Sequence, residues 1–74
     1  MHYANKGGNS NIYSYSIGSD RIEVTFYGGD TYLYTYFSAG QLHIEHMKSL
    51  AMKGSGLNSY INRNVRKNYA RKIA

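Results

Sequence analysis

Arg21-Ile22-Glu23-Val24-Thr25-Phe26-Tyr27-Gly28-Gly29-Asp30-Thr31-Tyr32-Leu33-Tyr34-Thr35-Tyr36-Phe37 is the stretch that decides the fold. Ile22, Val24 and Phe26 alternate with Arg21, Glu23, Thr25 and Tyr27, which predicts a strand over Arg21–Tyr27 with one apolar face. Gly28-Gly29-Asp30 is turn chemistry and predicts a hairpin. A third strand is expected over Thr31–Phe37, where Tyr32, Tyr34 and Tyr36 alternate and so share one strand face.

Upstream, Asn11–Ile17 is rich in Ile, Tyr and Ser and predicts a first strand, closed by the turn residues Gly18-Ser19-Asp20. Strands joined by such tight turns imply an antiparallel meander. Downstream, the pattern switches from period two to the helical period. Ser38 is expected to cap a helix, with Gln41 three residues on as a capping box requires. Ala39, His43, Ile44, Met47, Leu50 and Ala51 fall on one face of that helix, with Gln41, Glu45 and Lys48 opposite. The expected helix covers Ala39–Ala51 and ends at Lys53-Gly54-Ser55-Gly56. A second helix is expected after Ser55, because Leu57, Ile61, Val65, Tyr69 and Ile73 recur every four residues. Asn58, Asn62, Asn64 and Asn68 are weak helix formers, so its last turns should fray or lean on a partner. The fold class is therefore α+β: a three-stranded meander, then two helices, the first packed on one sheet face. The expected core is Ile22, Val24, Phe26, Ile44, Met47, Leu50 and Ile61.

The length allows one domain, expected over residues 11–74 behind a polar lead, Met1–Ser10, read as flexible. That lead has no apolar core of the kind a secretory signal needs, and no run of residues approaches a membrane span. Without cysteine there is neither disulfide nor thiolate-bound metal, which fits a cytoplasmic setting.

Charge is unevenly placed. All four acids, Asp20, Glu23, Asp30 and Glu45, lie in residues 1–45, which sum to −2 with Lys6 and Arg21. Residues 46–74 carry Lys48, Lys53, Arg63, Arg66, Lys67, Arg71 and Lys72 and no acid, a sum of +7. Such a block either keeps a surface solvated or meets an anionic partner.

The order Ser10-Asn11-Ile12, then Ile17-Gly18, then Ile22-x-Val24-x-Phe26-x-x-Gly29-x-x-Tyr32-x-Tyr34 resembles the KTSC domain. This family takes its name from the C-terminus of some lysyl-tRNA synthetases, and it also occurs as free-standing small proteins of bacteria and phages. Lys53-Gly54-Ser55-x-Leu57-Asn58-x-x-Ile61 is similar to the family's second half, so the likeness runs from about Ser10 to Arg63. The chain departs from the pattern at the turn Gly18-Ser19-Asp20, shorter than the usual loop, at Phe37-Ser38, where a Val-Pro is usual, at Met52, where a serine is usual, and at Val65, where an aromatic is. The resemblance implies a small sheet-plus-helix domain and suggests nucleic-acid binding.

The hairpin register decides what the tyrosines do, because a slip of one residue turns every side chain over. A two-residue loop, Gly28-Gly29, sets Val24 against Leu33 and leaves the tyrosines on the far face as a stacking platform. A three-residue loop, Gly28 to Asp30, sets Val24 against Tyr34 and brings the rings into the core with Phe26. Both remain open from the sequence.

His43 and His46, three apart on a helix, lack the further ligands zinc needs, and His43 sits in the apolar stripe as a packing histidine would. The scattered acids form no paired-carboxylate site, and no P-loop or dinucleotide fingerprint occurs, so neither catalysis nor a cofactor is expected. Two function classes remain. One is an RNA-binding module in which Arg63, Arg66, Lys67 and Arg71 contact phosphates from the second helix and Tyr32 and Tyr34 stack on bases. The other is a protein-interaction module, such as an accessory or inhibitor docking on a larger complex, since Tyr and Arg also dominate protein interfaces.

Overall fold

The computed structural model describes residues 11–74; the lead expected over Met1–Ser10 lies outside them. Strands β1 (Ile12–Ile17), β2 (Arg21–Phe26) and β3 (Thr31–Thr35) form the antiparallel meander. Helices α1 (Tyr36–Ala39) and α2 (Gln41–Lys53) follow. Helix α3 (Leu57–Tyr60) then runs on as a π-helix over Ile61–Val65. A short strand β4 (Arg71–Lys72) closes a four-stranded sheet in the order β1-β2-β3-β4. No helix among the described residues is long and apolar enough to cross a membrane.

The β2–β3 connection is Tyr27-Gly28-Gly29, with the Phe26 amide donating to the Asp30 carbonyl at 2.8 Å. Gly28 and Gly29 stand at φ +103° and +98°, conformations open to glycine and strained for other residues. This loop sets Ile22 against Tyr34 and Val24 against Tyr32. The register thus differs by two residues from the three-residue loop considered above, and a shift of two preserves the face. The tyrosines of β3 lie on the core side with Ile22 and Val24.

Strand β3 stops at Thr35, two residues earlier than the alternation suggests. The capping box sits one turn upstream of the expected one: Thr35 Oγ1 accepts from the Ser38 amide and Ser38 Oγ accepts from the Thr35 amide, each at 3.0 Å. Tyr36 therefore opens α1 instead of extending the tyrosine stripe. Gly40, at φ +99° and ψ 143°, separates α1 from α2 in a region that essentially only glycine enters.

Helix α2 lies against β2 and β3. The core joins Ile12, Ile22, Val24 and Tyr34 of the sheet to Ile44, Met47 and Ala51 of α2 and to Leu57, Ile61 and Val65. Phe26 and Leu50, expected inside, are only partly buried at its margin. Lys48, expected on the outer face of α2, is buried: its ammonium donates to the Ser19 carbonyl and to Glu45 Oε2, both at 2.8 Å. The stem packs while the charged head reaches a carbonyl and a carboxylate.

The second helix does not reach Ile73. After Val65 the chain turns and its last residues pair with β3. The Ala70 amide donates to the Leu33 carbonyl at 2.6 Å, the Ile73 amide to the Thr31 carbonyl at 2.7 Å, and the Thr31 amide to the Ala74 carbonyl at 2.9 Å. A helix through this segment would have left that edge of β3 open, and an unpaired edge is a liability in a small sheet. Backbone pairing replaces the expected fraying.

Candidate functional site

The core face of the sheet is not covered evenly. Beside the hairpin end it opens into a cleft of about 360 Å³. The sheet supplies Phe26, Tyr32 and Tyr34, and the π-helix supplies Ile61 and Asn62. Arg66, Lys67 and Tyr69 enter from the turn that leads to β4, and Asn11, Tyr27 and Asp30 from the hairpin end. Four of the six residues proposed from sequence therefore meet in one place: Tyr32, Tyr34, Arg66 and Lys67.

The aromatic wall is a connected cluster. Tyr32 and Tyr69 lie 4.7 Å apart between ring centroids at 50°, Phe26 meets Tyr32 edge-on at 5.9 Å, and Tyr69 meets Tyr34 edge-on at 6.3 Å. Because Tyr32 and Tyr69 touch, no flat ligand ring fits between them; one would stack on an outer face. Tyr69 is 39 % exposed and Tyr32 is half-buried, whereas Tyr34 is 2 % exposed. Tyr34 is thus the floor of the cleft and offers no free face for stacking, a correction to the paired role expected for Tyr32 and Tyr34.

Arg66 and Lys67 have no acidic partner among the described residues. Lys72, by contrast, pairs with Asp30, Nζ to Oδ1 at 3.2 Å, and this hydrogen bond raises the ammonium's pKa further and keeps it charged. Arg63 is exposed on the π-helix and does not line the cleft. Arg71 stands opposite Leu33, and Lys72 opposite Tyr32. Directly paired residues share a sheet face and neighbours along a strand alternate, so Arg71 belongs to the side away from the cleft. The single helical ridge of Arg63, Arg66, Lys67 and Arg71 does not form, because the helix that would carry it ends at Val65.

Tyr69, Asn62 and Asp30 were not singled out from the sequence. In the sequence, the spacing of Tyr69 after Leu57, Ile61 and Val65 reads as one more apolar position of a helix. The useful signal was its place just after the cations Arg66 and Lys67, in a segment poor in helix formers.

Burial, reinforced by the neighbouring Tyr32 and Tyr69, pushes the Tyr34 hydroxyl up to about 12 from its usual 10. The folded state then holds its proton more tightly than the unfolded chain. Its contribution to stability is fully present below the unfolded value and is lost as pH rises through 10 towards 12. Urea melts across that window should show stability falling more steeply in the wild type than in Tyr34→Phe, with tyrosinate absorbance reporting the ionisation.

On the other side of α2, His43 Nδ1 lies 2.6 Å from the Tyr60 hydroxyl and His46 stacks on the Tyr60 ring at 4.5 Å. These contacts tie α3 to α2. Among the described residues no three of His, Cys, Asp and Glu gather as metal ligands would. Glu45 accepts from Lys48 and from the Tyr36 hydroxyl, which hold its carboxyl below the usual range.

In comparisons with known proteins, the chain matches no family model, no curated protein and no solved structure.

Proposed function

We propose that the chain is a KTSC-like binding module, not an enzyme, and that it takes single-stranded RNA at the cleft. The observation that carries this reading is the meeting of Tyr32 and Tyr69 with Arg66 and Lys67 around one opening. An unpaired base has a free face to stack on a tyrosine ring, and its phosphate needs cations close by. A duplex keeps its base faces covered and would gain only the charge contacts.

Fluorescence anisotropy with a labelled single-stranded RNA tests the reading. Binding is expected at low salt, and its logarithm should fall linearly with log salt, by about 0.7 for each phosphate contact. The protein-docking alternative rests on a different place. Phe37 is 101 % exposed and Leu42 87 %, both near the corner between α1 and α2. Wild-type protein that binds no RNA even at low salt would move the assignment to that corner.

A further inference from the structure

Resting on the RNA reading, we infer that the cleft selects an unpaired guanine, with Asp30 as the residue that reads the base. Asp30 is the one acid lining the cleft, and it enters from the hairpin turn at the start of β3. Arg66 and Lys67 enter from the turn after the π-helix. A nucleotide has an anionic end and a base end. The phosphate is drawn to Arg66 and Lys67, which have no acidic partner among the described residues, and not to the Lys72 ammonium, whose charge Asp30 already meets, so the base edge is the part that meets Asp30.

An ionised carboxylate only accepts hydrogen bonds. Lys72 Nζ, 3.2 Å from Oδ1, fixes its position and uses one of its roughly four lone-pair sites. Guanine presents two parallel donors on its pairing edge, the ring N–H and the adjacent exocyclic amine, which match the two carboxylate oxygens. Adenine and cytosine present one amine beside a ring acceptor, and that acceptor faces the second oxygen unfavourably. Uracil presents one ring N–H between two carbonyls. Guanine's larger ring system also covers more of the Tyr32–Tyr69 surface than a pyrimidine does.

The test compares RNA strands about eight nucleotides long: all-uridine, and the same strand with one central guanine, adenine or cytosine. Anisotropy titrations of wild type should show the guanine strand binding about tenfold tighter than the uridine strand, within the range of a good bidentate base contact. Asp30→Asn puts an amide donor against the guanine donors. It should reduce that gap to about twofold or less, while the affinity for all four strands rises by a similar factor, because a negative charge is lost and the Lys72 ammonium is freed. Lys72→Ala removes the ion pair but not the carboxylate and should keep most of the preference. Equal affinity of wild type for all four strands would overturn the guanine assignment and leave RNA binding standing. A preference that survives Asp30→Asn would overturn the role of Asp30. Binding to none of the strands at low salt would overturn both the selectivity and the reading beneath it.

Discussion

Tyr34→Ala should leave the domain largely unfolded. The ring is 2 % exposed, stands opposite the fully buried Ile22, and meets Tyr69 edge-on. Truncating a buried aromatic residue costs about 3–5 kcal/mol, part lost transfer energy and part cavity. A chain of this size has roughly 4–11 kcal/mol of total stability, so that loss consumes a large share of it. Tyr34→Phe keeps the ring and gives up only hydroxyl contacts, about 1 kcal/mol. Urea melts followed by circular dichroism should show the alanine variant unfolded or strongly shifted and the phenylalanine variant near wild type. An alanine variant melting with the wild type would contradict the register that puts Tyr34 inside. Phe26, at the margin of the core, should cost less to truncate than Tyr34.

Replacing Arg66 and Lys67 together with alanine should have the largest effect on binding. Both line the cleft, and neither has an acidic partner among the described residues. Their charge is available to a ligand, unlike that of Lys48, which is buried against Glu45 and Ser19. For a single strand, removing two phosphate contacts should make the log–log salt slope shallower by about 1.4. Affinity should drop nearly equally for every sequence, because phosphate contacts carry no base information. Arg71→Ala, on the far face of the sheet, should change the slope much less. Stability should move by no more than about 0.5 kcal/mol, since both side chains are exposed. An unchanged slope in the double variant would remove the cleft from the account.

Local periods place most of the core but not its margin: Phe26 and Leu50 share these stripes and are only partly buried, and Lys48, on the opposite face of α2, is buried. Ile22 and Val24 alternate and are buried; Ile44, Met47 and Ala51 repeat at helical spacing and are buried; so are Leu57, Ile61 and Val65. The period of four then continued through Tyr69 and Ile73, where it misled. The segment from Ala70 to Ala74 instead satisfies the edge of β3, a demand made by tertiary structure that no local pattern records. The capping box was hidden for a related reason. Thr35 and Ser38 lie at the end of a stretch whose alternation reads as strand, so the sequence pattern puts the helix start one turn late. The site was half legible: cations and tyrosines were identified by type, but their grouping depended on where the chain turns after Val65. That turn separates Arg71 from Arg66 and Lys67 and brings in Tyr69. The sequence also posed the tyrosine face as either core or platform. The structure divides it along β3, with Tyr34 closed under its neighbours and Tyr32 open at the cleft.

The most direct test of the central claim is an NMR titration of isotope-labelled protein with a guanine-containing single-stranded RNA at low salt. Shift changes should gather on Asp30, Tyr32, Asn62, Arg66, Lys67 and Tyr69, with Phe37 and Leu42 unmoved. A saturating titration whose shifts gather at Phe37 and Leu42, or no shifts at all, would contradict the account.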